Sequence, residues 1–119
     1  MTKPAHIDHP LMTDLETVRL CAEAMGYSVV KGDARHKNGM AIATVDGDPV
    51  TNYDPLKHDA QAMALVKRLH LSVVFEYDAQ RWQVYDYINA HVPFTTANCD
   101  LNHAICKYVA KMQQAKGKR

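Results

Sequence analysis

Apolar residues recur at helical spacing in three segments of the chain, and the first two segments carry clear start or stop signals. Thr13 and Glu16 have the spacing of a capping box, and Gly26 stands where a glycine would end the first helix. Asp54 and Pro55 precede the second segment, where the aspartate can accept from free amides and the proline needs no amide partner. We therefore predict a helix after Thr13 and a second helix that begins at Asp54-Pro55.

The third segment has the most regular apolar stripe. Its members fall at helical intervals along one face: Leu101, Ala104, Ile105, Tyr108 and Met112. Asn98 or Asp100 can cap the start of this helix, and Lys107 and Lys111 place positive charge towards its end, where the helix dipole favours it. The pattern predicts a third helix with one apolar face.

Four short segments between these helices are rich in β-branched and aromatic residues. Residues 27–30 and 40–45 lie between the first and second helices, and residues 71–77 and 82–87 lie between the second and third. The segment from Asn89 to Ala97 is polar and is interpreted as a loop. Two helix–strand–strand units are too small to bury both faces separately, so we expect the four strands to share one sheet. The predicted fold is α+β, an antiparallel sheet with packed helices in the order α-β-β-α-β-β-α.

Length and composition are typical of one globular domain. The chain has 119 residues, of which 47% are hydrophobic and 23% charged. We predict a flexible N-terminal arm over residues 1–11, a single α+β domain over residues 12–115 and a basic tail over residues 116–119. The formal net charge of +1 gives no field that selects nucleic acid or a membrane. Three cysteines without framework spacing, and no secretory or membrane-spanning pattern, lead us to expect a cytoplasmic protein.

Residues 53–112 place a helix start, a hairpin and a second helix start in a recognisable order. The residues that carry this pattern are Tyr53-Asp54-Pro55-Leu56, Asp59, Ala62, Leu65-Val66, Leu69 and Asp100-Leu101-Asn102-His103-Ala104-Ile105. The pattern resembles the phage ABA-sandwich domain family, short and largely uncharacterised phage and prophage proteins with helix–sheet–helix layering. Family members usually carry Trp where this chain has Tyr53. The resemblance implies a phage or prophage origin, action in the cytoplasm of a bacterial host, and an accessory role such as countering host defence.

Three potential metal ligands share one side of the predicted third helix. Cys99, His103 and Cys106 are thiol and imidazole groups that suit zinc, and His70 or His91 could supply a fourth ligand. Because the chain lacks the paired C-x-x-C spacing of structural zinc sites, a second packing face or a subunit contact is the favoured interpretation.

Common catalytic patterns are missing from the sequence. Ser28 and Ser72 are the only serines, and neither lies in a G-x-S-x-G turn. None of the five glycines belongs to a phosphate-binding array. We therefore expect a protein that is not an enzyme and has no cofactor.

Aromatic and basic residues supply the candidate binding surface. Trp82, Tyr85 and Tyr87 lie on the second hairpin, where strand alternation places Trp82 on one face and the two tyrosines on the other. One face must pack under the helices, and we expect a second subunit, as in a homodimer, or a partner to cover the other. Arg35 and Lys37 belong to the basic 31–37 loop, which could contact phosphates together with the tail.

Two functions from different classes fit this sequence. The first is a small non-enzymatic accessory protein that binds a host macromolecule, such as a host protein, or a small signalling ligand. The alternative is a nucleic-acid-binding module that uses the basic 31–37 loop, the C-terminal tail and the hairpin aromatics.

Overall fold

The computed structural model describes residues 12–32, 40–86 and 96–117. The described helices are α1 (Asp14–Ala24), α2 (Asp59–Leu69) and α3 (Leu101–Gly117). The described strands are β1 (Ser28–Lys31), β2 (Met40–Ala43), β3 (Ser72–Glu76), β4 (Arg81–Tyr85) and β5 (Thr96–Asn98). The predicted α+β class is confirmed. The predicted arm over residues 1–11 lies outside the described residues.

The strands form two separate antiparallel sheets, so the expectation of one shared sheet is wrong. β1 pairs with β2, and β3, β4 and β5 form a second sheet with β4 in the centre. The two sheets need not join, because each sheet packs on a helix. β1 packs on α1, and β4 and β5 pack on α3. A helix in contact with both a sheet and another helix satisfies the same need for burial.

The fifth strand, β5, lies where the sequence predicted only a loop. Thr96, Ala97 and Asn98 pair with Val84, Gln83 and Trp82 of β4. The hydroxyl of Thr96 donates a buried hydrogen bond of 2.7 Å to the backbone oxygen of Ala104 in α3. A segment of three residues has little strand preference of its own, so the free edge of β4 and this bond to α3 determine its conformation.

The α1 helix begins and ends as predicted, and α2 completes its C-terminal end. The amide of Glu16 donates to the Thr13 hydroxyl at 3.1 Å, which is the predicted N-cap. Gly26 has φ of +84°, a left-handed conformation that suits glycine. Arg68 of α2 donates from Nε to the Ala24 oxygen at 3.1 Å, and a Cβ atom at Gly26 would lie 3.2 Å from its Nη2. The positive charge that the last turn of α1 lacks therefore comes from α2.

The α2 helix begins four residues later than predicted, with His58 at the cap position instead of Asp54. The backbone oxygen of Asp54 accepts from the amides of Lys57 and His58 at 3.0 Å each, so Asp54 opens a turn and α2 begins at Asp59. The Asp54 amide donates to Gln61 Oε1 at 2.6 Å, which fixes this turn to the first turn of α2. The turn buries the side chains of Pro55 and Leu56 in the core. A continuous helix from Asp54 would give these two side chains other positions.

The α3 helix lies at the centre of the molecule. It contacts α1, α2, β4 and β5, and Ile105, Cys106, Tyr108 and Val109 have no exposed surface. Each large apolar side chain buried in this way contributes about 1.5–3 kcal/mol. The carboxylate of Asp100 accepts from the amide of His103 at 3.2 Å, so the predicted cap at the start of this helix is present.

In the described ranges, no helix has the length and apolar character needed to cross a membrane.

Substitutions of Tyr53 test how much its buried hydroxyl and its ring each contribute to stability. Its side chain is 6% exposed, and its hydroxyl has no hydrogen-bond partner among the described residues. Its ring packs edge-on against Tyr27 with centroids 5.6 Å apart. We expect Tyr53→Phe to leave the free energy of unfolding within about 1 kcal/mol of the wild type, or to raise it, because the ring contact remains. Urea unfolding measures the free energy of unfolding of each variant. Tyr53→Ala, which removes the ring, should lower that free energy by about 3–5 kcal/mol.

Alkaline pH should destabilise the fold through buried neutral groups. Hydrogen bonding with the Cys106 side chain and burial raise the pKa of the Cys21 thiol well above 9.0. Burial raises the pKa of the Tyr53 and Tyr108 phenols above 10.0. The unfolded chain then loses these protons before the folded chain does, so stability is complete below the ordinary values and falls as pH rises past them.

The measurement is the urea midpoint at intervals from about pH 7 to about pH 11. We expect a plateau at neutral pH, a decline that begins near the ordinary thiol value of 9.0, and a shallower decline for Tyr53→Phe. A midpoint that stays constant through this range would contradict the assignment.

Candidate functional site

Three aromatic side chains gather at the turn end of the β3–β4 hairpin, and we call them the hairpin-end cluster: Phe75, Tyr77 and Trp82. The Phe75 ring lies 4.9 Å from Trp82 and 5.4 Å from Tyr77 between centroids, with interplanar angles of 61° and 82°. Phe75 and Trp82 are directly opposite each other in the strand register. Tyr77 is 80% exposed, so the cluster presents one ring to solvent, in contact with Phe75, which in turn contacts Trp82.

The predicted aromatic binding residues do not form one exposed face. Trp82 is on the same side of the sheet as Val84, which is completely buried, and is itself partly buried against the core. Tyr85 is also partly buried and packs against the core. Tyr87 lies outside the described residues. The sequence interpretation did not include Phe75, although its position opposite Trp82 in a predicted hairpin was the signal that could have found it.

The predicted basic contacts fall outside the described part of the chain. Arg35 and Lys37 belong to residues 33–39, and Lys118 and Arg119 follow the last described residue. Lys116 lies in the last turn of α3. An electrostatic surface built from the basic loop and the tail therefore stays a prediction.

The structure does not bring Cys99, His103 and Cys106 together as a set of metal ligands. Cys99 is exposed just before α3, whereas Cys106 is completely buried and meets Cys21 of α1. His103 lies near its own helix cap, with Nδ1 3.8 Å from Asp100 Oδ1. Over residues 12–32, 40–86 and 96–117, no group of three or more His, Cys, Asp or Glu side chains could hold a metal ion.

Cys21 and Cys106 form a buried contact between α1 and α3. The thiol of Cys21 donates to the backbone oxygen of Cys106 at 3.6 Å, and both side chains have no exposed surface. The raised pKa of Cys21 keeps this thiol protonated at neutral pH, and the thiolate is the reactive form. These two cysteines therefore act as small apolar core residues that allow the helices to approach closely.

A separate cleft opens where the first turns of α1 and α3 meet the 54–57 turn. Its volume is about 220 Å³. The polar residues that line it are Asp14, Asp54, Lys57 and His103, and Leu15 and Leu56 are among the apolar ones. Asp54 is 6% exposed, yet no hydrogen bond to its carboxylate occurs among the described residues. His103 Nδ1 is also buried without a hydrogen-bond partner in the described part of the structure.

The walls of this cleft are fixed by hydrogen bonds that do not use its polar groups. Asp54 is held through its backbone by Gln61, whose Nε2 also donates to the Asn52 oxygen at 3.2 Å. Asn102 of α3 donates from Nδ2 to Asp59 Oδ1 at 2.9 Å and so joins the start of α3 to the start of α2. The Asp54 carboxylate and the His103 ring remain available to a molecule in the cleft.

Comparison with known proteins does not identify a family for this chain. No protein-family model, curated protein or solved structure matches the chain. The resemblance to the phage ABA-sandwich domain family therefore stays a prediction from the residues that carry it.

The three cysteines should differ sharply in reactivity. In the native protein, we expect a disulfide-exchange reagent such as dithionitrobenzoate to modify one thiol, Cys99, because Cys21 and Cys106 are buried. All three should react in denaturant, and Cys99→Ser should abolish the native reaction. Equal rates at Cys21 and Cys99 in the folded protein would show that α1 and α3 are not packed as described.

Proposed function

We propose that this chain is a small, non-enzymatic accessory protein that acts by binding another protein through the hairpin-end cluster. The observation that carries the proposal is the 80% exposure of Tyr77, whose ring packs on Phe75, which in turn packs on Trp82. Exposed apolar groups that gather in one region commonly mark an interface, and Val74, at 42% exposure, adds to Tyr77 on this hairpin. The resemblance to phage proteins supports a bacterial host as the source of the partner and countering host defence as the role.

The residue types at the hairpin end favour a protein partner over a small ligand. Tyrosine, tryptophan and arginine dominate the binding energy of protein interfaces, and Arg81 adjoins the cluster. Arg81 is held by an ion pair of 2.5 Å between its Nε and Glu76 Oε1. Tyr77 is 80% exposed, whereas small molecules are mostly buried in concave sites. The cluster therefore suits insertion into a pocket on another protein.

Tyr77→Ser tests this proposal against Val45→Ser, a matched control at another exposed apolar site. Val45 is 87% exposed and lies in the turn after β2, so both changes remove an exposed apolar side chain. Tagged proteins are used to capture partners from host lysate. We expect the wild type and Val45→Ser to retain one stoichiometric protein, and Tyr77→Ser to bind it about 30-fold more weakly, the loss typical of an interface hot spot.

Equal retention of that protein by Tyr77→Ser would overturn the proposal. Sedimentation of the purified wild type and of purified Tyr77→Ser then tests whether the hairpin-end cluster binds a second copy of this chain. Electrophoretic mobility with nucleic acid at increasing salt tests the alternative function, because phosphate contacts weaken steeply as salt rises. Salt-sensitive binding that Tyr77→Ser leaves intact would favour the basic loop and tail over the hairpin.

A further inference from the structure

We propose that the cleft between α1, α3 and the 54–57 turn binds a guanidinium or ammonium group carried on a short alkyl stem. This site is independent of the hairpin-end cluster, because none of its lining residues belongs to that hairpin. The argument rests on the hydrogen-bonding capacity of the cleft, its charge and its size.

The cleft contains acceptors that lack donors. Asp54 is 94% buried, and its carboxylate receives no hydrogen bond from any described residue. His103 Nδ1 has no partner in the described part of the structure and accepts a hydrogen bond when the ring carries its proton on Nε2. His103 Nδ1 is a buried acceptor without a donor, which is costly, and the Asp54 carboxylate lines the cleft, so a ligand that brings several N–H donors would bond to both.

The charge in the cleft favours a cation. Two carboxylates, Asp14 and Asp54, face one ammonium, Lys57. Lys57 is exposed, and no ion pair joins it to either carboxylate within the described residues. One amide at each of the two helix starts is already bonded within the protein, because Glu16 donates to Thr13 and His103 donates to Asp100, and Asp14 places a negative charge in the first turn of α1. A carboxylate therefore remains as the principal unpaired group.

The size and lining of the cleft limit the ligand further. Its volume of about 220 Å³ corresponds to about seven water molecules at ~30 Å³ each. This is below the ~300–1,000 Å³ of sites for drug-sized ligands, so the cleft can enclose a small group but not a whole nucleotide. Leu15 and Leu56 supply apolar surface for a methylene stem. An arginine side chain or a small free guanidine meets these requirements, and its planar fork can pair with a carboxylate through two hydrogen bonds.

The test is an NMR titration of the full chain with agmatine, with a capped Gly-Arg-Gly peptide and with the corresponding citrulline peptide. Citrulline has nearly the shape of arginine but carries no charge. We expect saturable shifts at the amides of residues 14–18, 54–57 and 103 with the first two probes and none with the third. Tighter binding of the peptide would indicate a protein side chain as the natural source, and tighter binding of agmatine would indicate a free small molecule.

Four variants then test whether the cleft selects a positively charged ligand. Asp54→Asn should weaken agmatine binding about tenfold or more, because a charge-assisted pair is lost. Lys57→Gln should tighten it about two- to threefold, because a like charge is removed. Asp46→Asn makes the same chemical change in an exposed turn and should have no effect. Asp14→Asn, at an exposed position, provides a second loss-of-binding variant should Asp54→Asn fail to fold.

Several results would overturn the proposal. The first is the lack of saturable shifts up to about 10 mM agmatine, which is ten times a Kd of about 1 mM. The others are equal agmatine affinity of Asp54→Asn and Asp46→Asn, and weaker agmatine binding by Lys57→Gln than by the wild type. Equal binding of the citrulline and arginine peptides would also contradict it, because the interaction would not depend on charge.

Discussion

The burial of α3 is the constraint on which the rest of the structure depends. Seven of the nine residues from Ala104 to Met112 are buried, and only Lys107 and Lys111 reach solvent to any extent. Because a helix with so little polar surface must be covered on several sides, α1, α2 and the β4–β5 pair each take one part of it. The two lysines are four residues apart and mark the single strip that remains open. The small side chains of Ala104, Cys106 and Ala110 let the neighbouring helices and strands approach closely.

A few polar contacts fix how the surrounding elements meet this helix. Thr96 joins β5 to α3, Asn102 joins the start of α3 to α2, and Arg68 joins α2 to the end of α1. The Arg68 bond satisfies the carbonyl of Ala24 at the C-terminal end of α1, where a helix leaves acceptors unpaired. The hydrophobic core supplies most of the stabilisation, and these bonds select one arrangement of the helices and strands among those that would bury similar area.

The two candidate sites differ in shape and chemistry in a way that follows from this arrangement. The hairpin-end cluster lies at the turn end of β3 and β4, where Tyr77 extends into solvent. The cleft lies where three element ends converge on α3, so it is concave and contains backbone-anchored polar residues such as Asp54. We therefore propose a macromolecule for the exposed aromatic cluster and one cationic group for the small acidic cleft. The two proposed sites share no residue.

The sequence by itself determined the features whose physical cause is local. The Thr13 cap, the turn at Gly26, the β3–β4 hairpin and the cap at Asp100 each depend on residues within a few positions of one another, and all are present. The helix start predicted at Asp54 failed because burial of Pro55 and Leu56 and the distant side chain of Gln61 favour a turn there. The split into two sheets, the strand β5, the burial of Cys106 against Cys21 and the acidic cleft were decided only by tertiary structure. Each of these needs contacts between residues far apart in sequence, and the energy of such contacts cannot be found in local spacing.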